Sequence, residues 1–408
     1  MARTGGSSSG MTQHATFKKQ HLIDPEICIR CNTCEATCPV GAVTHNAVNY
    51  VVDAEKCNAC LDCIAPCPTG SIDNWRIVRA TYSLEEQMGW TELPRQDDLG
   101  EAASAVVEAF ESEVAVLLAS AHAGSGGKPI APKSAAKPTV NLYSRAKPAI
   151  ATVQGNFRIT STDAESDVRH IVLGFGDTQL PVLEGQSIGV IPPGARADTR
   201  PHDIRLYTIA SARDGEKRNA NNIALTVKRV PGGVASSYLC DLRVGDRVAV
   251  TGPFGATFLM PDDPAADIIM ICTGTGSAPF RAFTERRRRA MPGAPGRLVM
   301  FFGARTPEEL PYFGPLQKVP SSILEQHLVY SRVPGARKEY VQDRLRGQGA
   351  RVAALLQRPS THIFICGLRG METGVDEALA DVCRAHGLEW AQLKSDMRTG
   401  GRYHVETY

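Results

Sequence analysis

Eight of the chain's twelve cysteines fall between Cys28 and Cys67, in two copies of one spacing. The first copy is Cys28-x2-Cys31-x2-Cys34-x3-Cys38-Pro39, and the second is Cys57-x2-Cys60-x2-Cys63-x3-Cys67-Pro68. Thiolates are soft ligands, and an iron–sulfur cubane takes four of them. Three closely spaced cysteines wrap one face of a cluster, but so short a loop cannot supply the fourth corner. The fourth cysteine of each run therefore crosses to the other cluster. This assigns Cys28, Cys31, Cys34 and Cys67 to one [4Fe-4S] centre and Cys57, Cys60, Cys63 and Cys38 to a second. Zinc is the competing metal, but it takes paired Cys-x2-Cys knuckles with a long gap between pairs, and a triple run ending in proline fits it poorly. Disulfides would need an export signal. The opening Met1–Gly10 stretch has no apolar core of that kind. Electron transfer in the cytoplasm is the expectation.

The elements that must hold these groups divide the chain. Residues 1–20 are expected as a disordered tail, and 21–78 as a compact head in which the clusters act as the core. Residues 79–140 are expected to hold a helix, with helical apolar spacing over Ala102–Leu118, and a flexible linker over Gly124–Pro138. Six short segments between 141 and 262 alternate with Gly/Pro turns: Ala151–Ile159, Val168–Phe175, Ser187–Ile191, Arg205–Ala210, Ile223–Val230 and Arg247–Gly252. They predict an antiparallel β-barrel. Over 263–408, apolar strands at Ile268–Cys272, Leu298–Phe302, His327–Tyr330 and His362–Cys366 alternate with helical stretches, which predicts a parallel α/β sheet. No apolar run reaches the roughly 18 residues of a membrane span. A net charge of +2 favours neither nucleic acid nor a membrane surface. The basic run Arg286–Arg289 reads as a solvated helix face.

The second half carries motifs at its strand ends. Gly274-Thr275-Gly276-Ser277-Ala278-Pro279 follows the first α/β strand, where glycines let backbone N–H groups approach a pyrophosphate. Ser331 and Arg332, with Lys338 and Tyr340 shortly after, offer hydroxyl, guanidinium, ammonium and an adenine-stacking ring. An NAD site presents a carboxylate to the ribose instead, so this set selects the 2′-phosphate of NADP. Ser236 and Ser237 are placed to cap a helix opening at Gly233.

From Tyr143 to Tyr408 these motifs, in this order, resemble plant-type ferredoxin–NADP reductases. The resemblance implies that Arg205, Leu206, Tyr207 and Thr208 hold the FAD pyrophosphate and face its ring. It implies that Thr226, Val227 and Lys228 line the adenosine part, and that Val234, Ala235, Ser236 and Ser237 contact the phosphates. It places Thr275 between the two cofactors, and Cys366 near the nicotinamide within Cys366-Gly367-Leu368-Arg369-Gly370-Met371. It gives Glu406 and Tyr408 to the transfer site, with the terminal ring covering the flavin face. Cys240, Cys272 and Cys383 carry no functional role. The fold implied is multidomain α+β and α/β: a bacterial 2[4Fe-4S] ferredoxin-like head, an antiparallel FAD-binding β-barrel and an NADP-binding parallel α/β domain.

The fused arrangement, including the stretch from His21 to Cys34, is similar to reductase components of benzoyl-CoA 2,3-epoxidase systems. That similarity implies NADPH as donor and a separate di-iron oxygenase component as the protein acceptor. Flow in the opposite direction, regenerating NADPH, uses the same residues. A non-catalytic redox sensor would lack NADPH oxidation altogether.

Overall fold

The computed structural model describes residues 18–408 apart from 27, 59–62, 65–66, 68, 70, 73, 79, 95–113, 127–128, 197–200 and 313–318. The chain divides into two compact units, Met1–Glu111 and Ser112–Tyr408.

In the first unit, β1 (Lys18–Leu22) pairs antiparallel with β4 (Asn74–Val78), and β2 (Val43–His45) with β3 (Tyr50–Val52). Apolar Ile23, Val43, Tyr50, Val52 and Ile72 share one small core with Cys34 and Cys63. Cys28, Cys38, Cys57 and Cys67 pack against that core. Cysteine side chains thus do part of the packing that a segment this short cannot do with hydrocarbon alone. The buried Gln87 carboxamide closes one side, accepting from Val52 N at 3.1 Å and donating to Val52 O at 3.0 Å. The expected tail over 1–20 is corrected here. Residues 18–20 form part of β1, whose partner lies more than 50 residues on (Lys18 opposite Val78), beyond the reach of local pattern.

The second unit begins earlier than the sequence suggested. Of the expected Ala102–Leu118 helix, residues 102–113 lie outside the described residues, and 114–121 are helical. The supposed flexible linker is laid onto the unit. Ser125 and Pro132 are buried, and Asp262 N donates to Ser134 O at 3.3 Å. Gly401 packs so closely that a Cβ there would stand 2.3 Å from the Ala131 oxygen. Small and cationic residues read as a free chain by composition, whereas long-range anchors fix this one.

Six antiparallel strands follow: β5 (Ala149–Arg158), β6 (Val168–Gly174), β7 (Ser187–Val190), β8 (Arg205–Thr208), β9 (Asn222–Lys228) and β10 (Arg247–Phe254). Their order is β8-β7-β10-β5-β6-β9, and a bridge between Ile209 and Leu225 joins the two edges. Inward residues of β5 alternate with exposed ones, as a half-buried strand requires.

A five-stranded parallel sheet comes next: β11 (Asp267–Thr273), β12 (Leu298–Ala304), β13 (Leu324–Tyr330), β14 (Thr361–Gly367) and β15 (Tyr403–Thr407), in the order β13-β12-β11-β14-β15. Alternate residues feed two cores. Ile268, Met270 and Cys272 meet Phe280 and Phe283 of the helix Ala278–Ala290, while Ile269 and Ile271 meet Val341, Leu345 and Val375. The edge strand β15 was not foreseen. Its open side is covered by the turn Ala123–Ser125, with a 2.9 Å bond between His122 Nδ1 and Val405 O.

The Arg286–Arg289 run is not a solvated face. Arg287 is 2% exposed and donates to the carbonyls of Pro264, Ala266 and Gly296. Arg289 reaches Asp214 and the carbonyls of Gly215 and Glu216, which precede β9, so it ties the parallel layer to the antiparallel one. Among the described residues no helix is long and apolar enough to cross a membrane.

Candidate active site and cofactor cavities

Parallel strands expose their carboxyl ends together, and ligands of open α/β sheets bind there. All five strand ends converge on one cavity of about 520 Å³. β11 delivers Thr273, Gly274 and Thr275; β12 delivers Ala304 and Arg305; β13 delivers Ser331 and Arg332; β14 delivers Leu368 and Arg369; and Tyr408 follows β15. Lys338 and Tyr340 complete the wall, with the ammonium 5.0 Å from the ring centroid. The structure thus brings together Thr275, Ser331, Arg332, Lys338, Tyr340, Leu368 and Tyr408 from the sequence-based set, with Gly367 at the end of β14 just behind.

The turn after β11 is held open by geometry. Gly274 has φ +54°, and a Cβ on Gly276 would stand 2.1 Å from the Cys366 oxygen. Only a glycine lets this turn approach β14 so closely. The two carboxylates bordering the cavity are committed elsewhere: Glu339 to Arg344 at 2.7 Å, and Glu309 to the backbone N–H and hydroxyl of Ser166. Lys228, Arg305, Arg332, Lys338 and Arg369 therefore leave the cavity cationic. An anionic dinucleotide with an extra phosphate fits such a lining.

At the inner end, Cys366 and Glu406 are register neighbours on β14 and β15. Burial pushes the Cys366 thiol well up, with Glu406 adding to it. Glu406 is 5% exposed, its Oε2 has no hydrogen-bond partner among the described residues, and burial lifts its carboxyl to about 7. Thr208 closes β8, and its hydroxyl accepts from Ser187 Oγ at 3.2 Å.

A second cavity, of about 560 Å³, lies against β8 and the start of the helix Val234–Asp241. Arg205, Tyr207, Val234, Ala235 and Ser236 line it, together with Arg196 and His202. Among the described residues the Arg205 guanidinium donates to the Ile204 carbonyl at 3.0 Å and stands 3.9 Å from Asp203. Leu206 and Ser237 are half-buried beside this cavity's residues but do not line it.

One expectation is corrected. Neither serine caps the helix. Gly233 is its N-cap, and Ser236, already three residues inside, turns back to Gly233 O at 3.4 Å and Val230 N at 3.2 Å. The first N–H groups are left without a side-chain acceptor, which suits an anion. The Thr226-Val227-Lys228 strand does not line this cavity either. Thr226 is bonded to the Tyr312 hydroxyl, Val227 is 1% exposed in the core, and Lys228 faces the other cavity.

In the first unit, Cys28, Cys31, Cys34 and Cys67 line a single cavity. Burial pushes the Cys34 thiol up to about 11. Burial also pushes Cys67 up, but hydrogen bonds from Ser71 and the backbone of Ile72 and Thr69 outweigh it and leave the thiol at about 7. Cys38, Cys57 and Cys63 share the neighbouring core, and Cys60 lies outside the described residues. Among the described residues no group of three or more His, Cys, Asp or Glu is drawn tightly enough for one metal ion.

The residues missed by sequence reading were Arg305, Arg369, Arg196 and His202. The signal for Arg305 was its place one residue beyond a parallel strand, where ligands bind.

Comparison with known proteins agrees with this partition. Residues 20–68 match a 4Fe-4S dicluster domain, 160–258 an oxidoreductase FAD-binding domain and 270–377 an oxidoreductase NAD-binding domain. The chain is 37% identical over 324 residues to the ferredoxin–NADP reductase of Thermosynechococcus vestitus, covering 74% of this chain and 84% of that one. It is 36% identical over 288 residues to the enzyme of Spirulina sp, covering 66% and 98%. The fold of Plasmodium falciparum ferredoxin–NADP+ reductase with 2′P-AMP superposes at a TM-score of 0.52 and 22% identity, over 66% of this chain and 99% of that one. With a cationic cavity at the sheet's carboxyl edge and relatives most of whose own length it covers, this chain belongs to the ferredoxin–NADP reductase family and carries a 4Fe-4S dicluster domain ahead of the reductase domains.

Proposed function

We propose that this chain is an NADPH-dependent reductase holding FAD and two [4Fe-4S] clusters, and that it delivers single electrons to the di-iron oxygenase component of a benzoyl-CoA 2,3-epoxidase. The observation that carries the reading is the coexistence, in one chain, of the cationic cavity at the sheet edge and the four-cysteine cavity of the first unit. The joined edges of the six-stranded sheet support a closed FAD-binding barrel.

Ser331, Arg332 and Lys338 bind the phosphate that distinguishes NADPH, and Tyr340 stacks on its adenine. Arg205 and the open N–H groups at Val234 and Ala235 hold the FAD pyrophosphate, with Tyr207 as the wall of the ring site. FAD bound there supplies the exchange between hydride and single electrons. Thr275 and Cys366 orient the nicotinamide edge, Tyr408 keeps water and ligand off that face until NADPH arrives, and Thr208 presents a hydroxyl to the flavin. Glu406 holds a proton at its carboxyl near neutral pH. Cys28, Cys31, Cys34 and Cys67 hold one cluster, and Cys57, Cys60, Cys63 and Cys38 the other.

The oxygenase partner and the benzoyl-CoA reaction follow from the similarity of the fused chain. The test is NADPH oxidation by the full chain with a di-iron oxygenase. The expected result is turnover that requires oxygenase and benzoyl-CoA together; oxidation indifferent to both would overturn the partner. Relatives named for ferredoxin and NADP favour a second reading, electron flow toward NADP+. Redox titration of flavin and clusters decides between the two directions.

A further inference from the structure

We propose that Arg305 is a specificity-determining residue of the NADPH cavity, closing on the 2′-phosphate from the strand next to Ser331 and Arg332. The inference rests on the NADPH reading above. Ala304 and Tyr330 are the last register pair of β12 and β13, so Arg305 and Ser331 are the first residues past two adjacent strand ends. The chains stay together beyond that pair: Ser331 N donates to Ala304 O at 3.1 Å and Arg332 N to Arg305 O at 2.7 Å. The Arg305 backbone is thereby fixed beside the Ser331–Arg332 corner, and its side chain borders the same cavity.

The guanidinium is lightly engaged. Its contact is a 3.5 Å approach to Glu165, whose side chain is 83% exposed, and an exposed pair of that length holds a guanidinium only weakly. Glu309, whose carboxylate Arg305 helps to keep ionised, spends both oxygens on Ser166. A phosphomonoester carries a charge of about −1.5 to −2. Arg332 and Lys338 supply two cations, and a third, forked one matches the remaining oxygens better than a second ammonium would.

The experiment is calorimetric binding of 2′,5′-ADP and of 5′-AMP to the full FAD-loaded chain, for wild type and Arg305→Gln, with melting temperature as a folding control. Wild type should prefer 2′,5′-ADP, and the variant should lose about tenfold or more of that affinity, as for other charge-assisted phosphate bonds, while binding 5′-AMP as before. Equal weakening toward both ligands would assign Arg305 to general packing or to the other phosphates, and unchanged affinity would remove it from the site; either result overturns the proposal. A wild type that does not distinguish the ligands overturns the NADPH reading itself. An Arg305→Lys variant that recovers only part of the preference would show that the fork matters beyond the charge.

Discussion

The Tyr408 hydroxyl lies 3.4 Å from the Thr275 hydroxyl, so the last residue of the chain closes on the turn that follows β11. Its backbone is pinned, with Tyr408 N donating to Gly367 O at 3.0 Å and Arg369 N donating to Tyr408 O at 3.2 Å. Tyr408 is 49% exposed, so its side chain borders the open cavity while the backbone is fixed. Replacing Tyr408 with Ser should therefore tighten NADP+ binding about tenfold, or about 1.4 kcal/mol, and slow turnover through product retention. Spectral titration and steady-state rates measure both, and a variant unchanged in each would show that the ring does not occupy the nicotinamide position.

Glu216 joins the two layers of the reductase unit. Arg281 donates to its two oxygens at 2.6 and 2.9 Å, and His170 Nε2 stands 3.2 Å from one of them. Burial raises this carboxyl, but His170 and Arg281 outweigh that and hold it at about 2, below its ordinary 4.5. A depressed carboxyl stabilises the fold above its unfolded value and loses that contribution as pH falls from 4.5 toward 2. The contribution is about 3 kcal/mol. Glu216→Gln should be less stable at neutral pH and show a flatter acid limb in urea midpoints. An acid limb parallel to wild type would refute the linkage.

Glu406 has the opposite sign. Burial lifts it to about 7, so the folded chain keeps a proton that the unfolded chain releases near 4.5. Stability contributed by this site falls as pH rises through that window, again by about 3 kcal/mol. Glu406→Gln removes the decline. Urea midpoints of variant and wild type should lie close together at low pH and separate as pH rises between the two values, with wild type falling below the variant; identical slopes would mean that Glu406 does not keep its proton in the folded chain.

Cys67 belongs to the second cysteine run but lines the cavity of the first. Cys67→Ala should lower iron from about eight to about four atoms per chain in anaerobically purified protein. Full retention would show that Cys67 is not a required cluster ligand.

Much of this was legible because local pattern and local chemistry coincide. The alternation of Ala149–Arg158, the cysteine spacing and the glycine turn at Gly274 each carry their structure in consecutive residues. What stayed hidden depends on partners far away. Lys18–Leu22 is a strand only because Asn74–Val78 lies beside it, and Ala131 is fixed only by Gly401. Arg287 and Arg289 looked solvated because the carbonyls they serve belong to turns remote in sequence. Ser236 was misread as a cap because the helix is already under way at that point, with Gly233 three residues earlier as its N-cap, which moves the hydroxyl from the end into the first turn. Arg305 carries no motif; only the parallel register sets it beside Ser331.

The central claim is that reducing equivalents entering at the sheet edge reach iron in the same chain. Anaerobic titration of the FAD-loaded protein with NADPH, followed by visible absorbance and low-temperature EPR alongside an iron assay, tests it most directly. The account predicts about eight irons, loss of the yellow flavin colour and growth of a reduced-cluster signal that fails to form when FAD is stripped. A flavin that bleaches while the iron signal never grows, even when the clusters can be reduced by a chemical donor of the same potential, would contradict it.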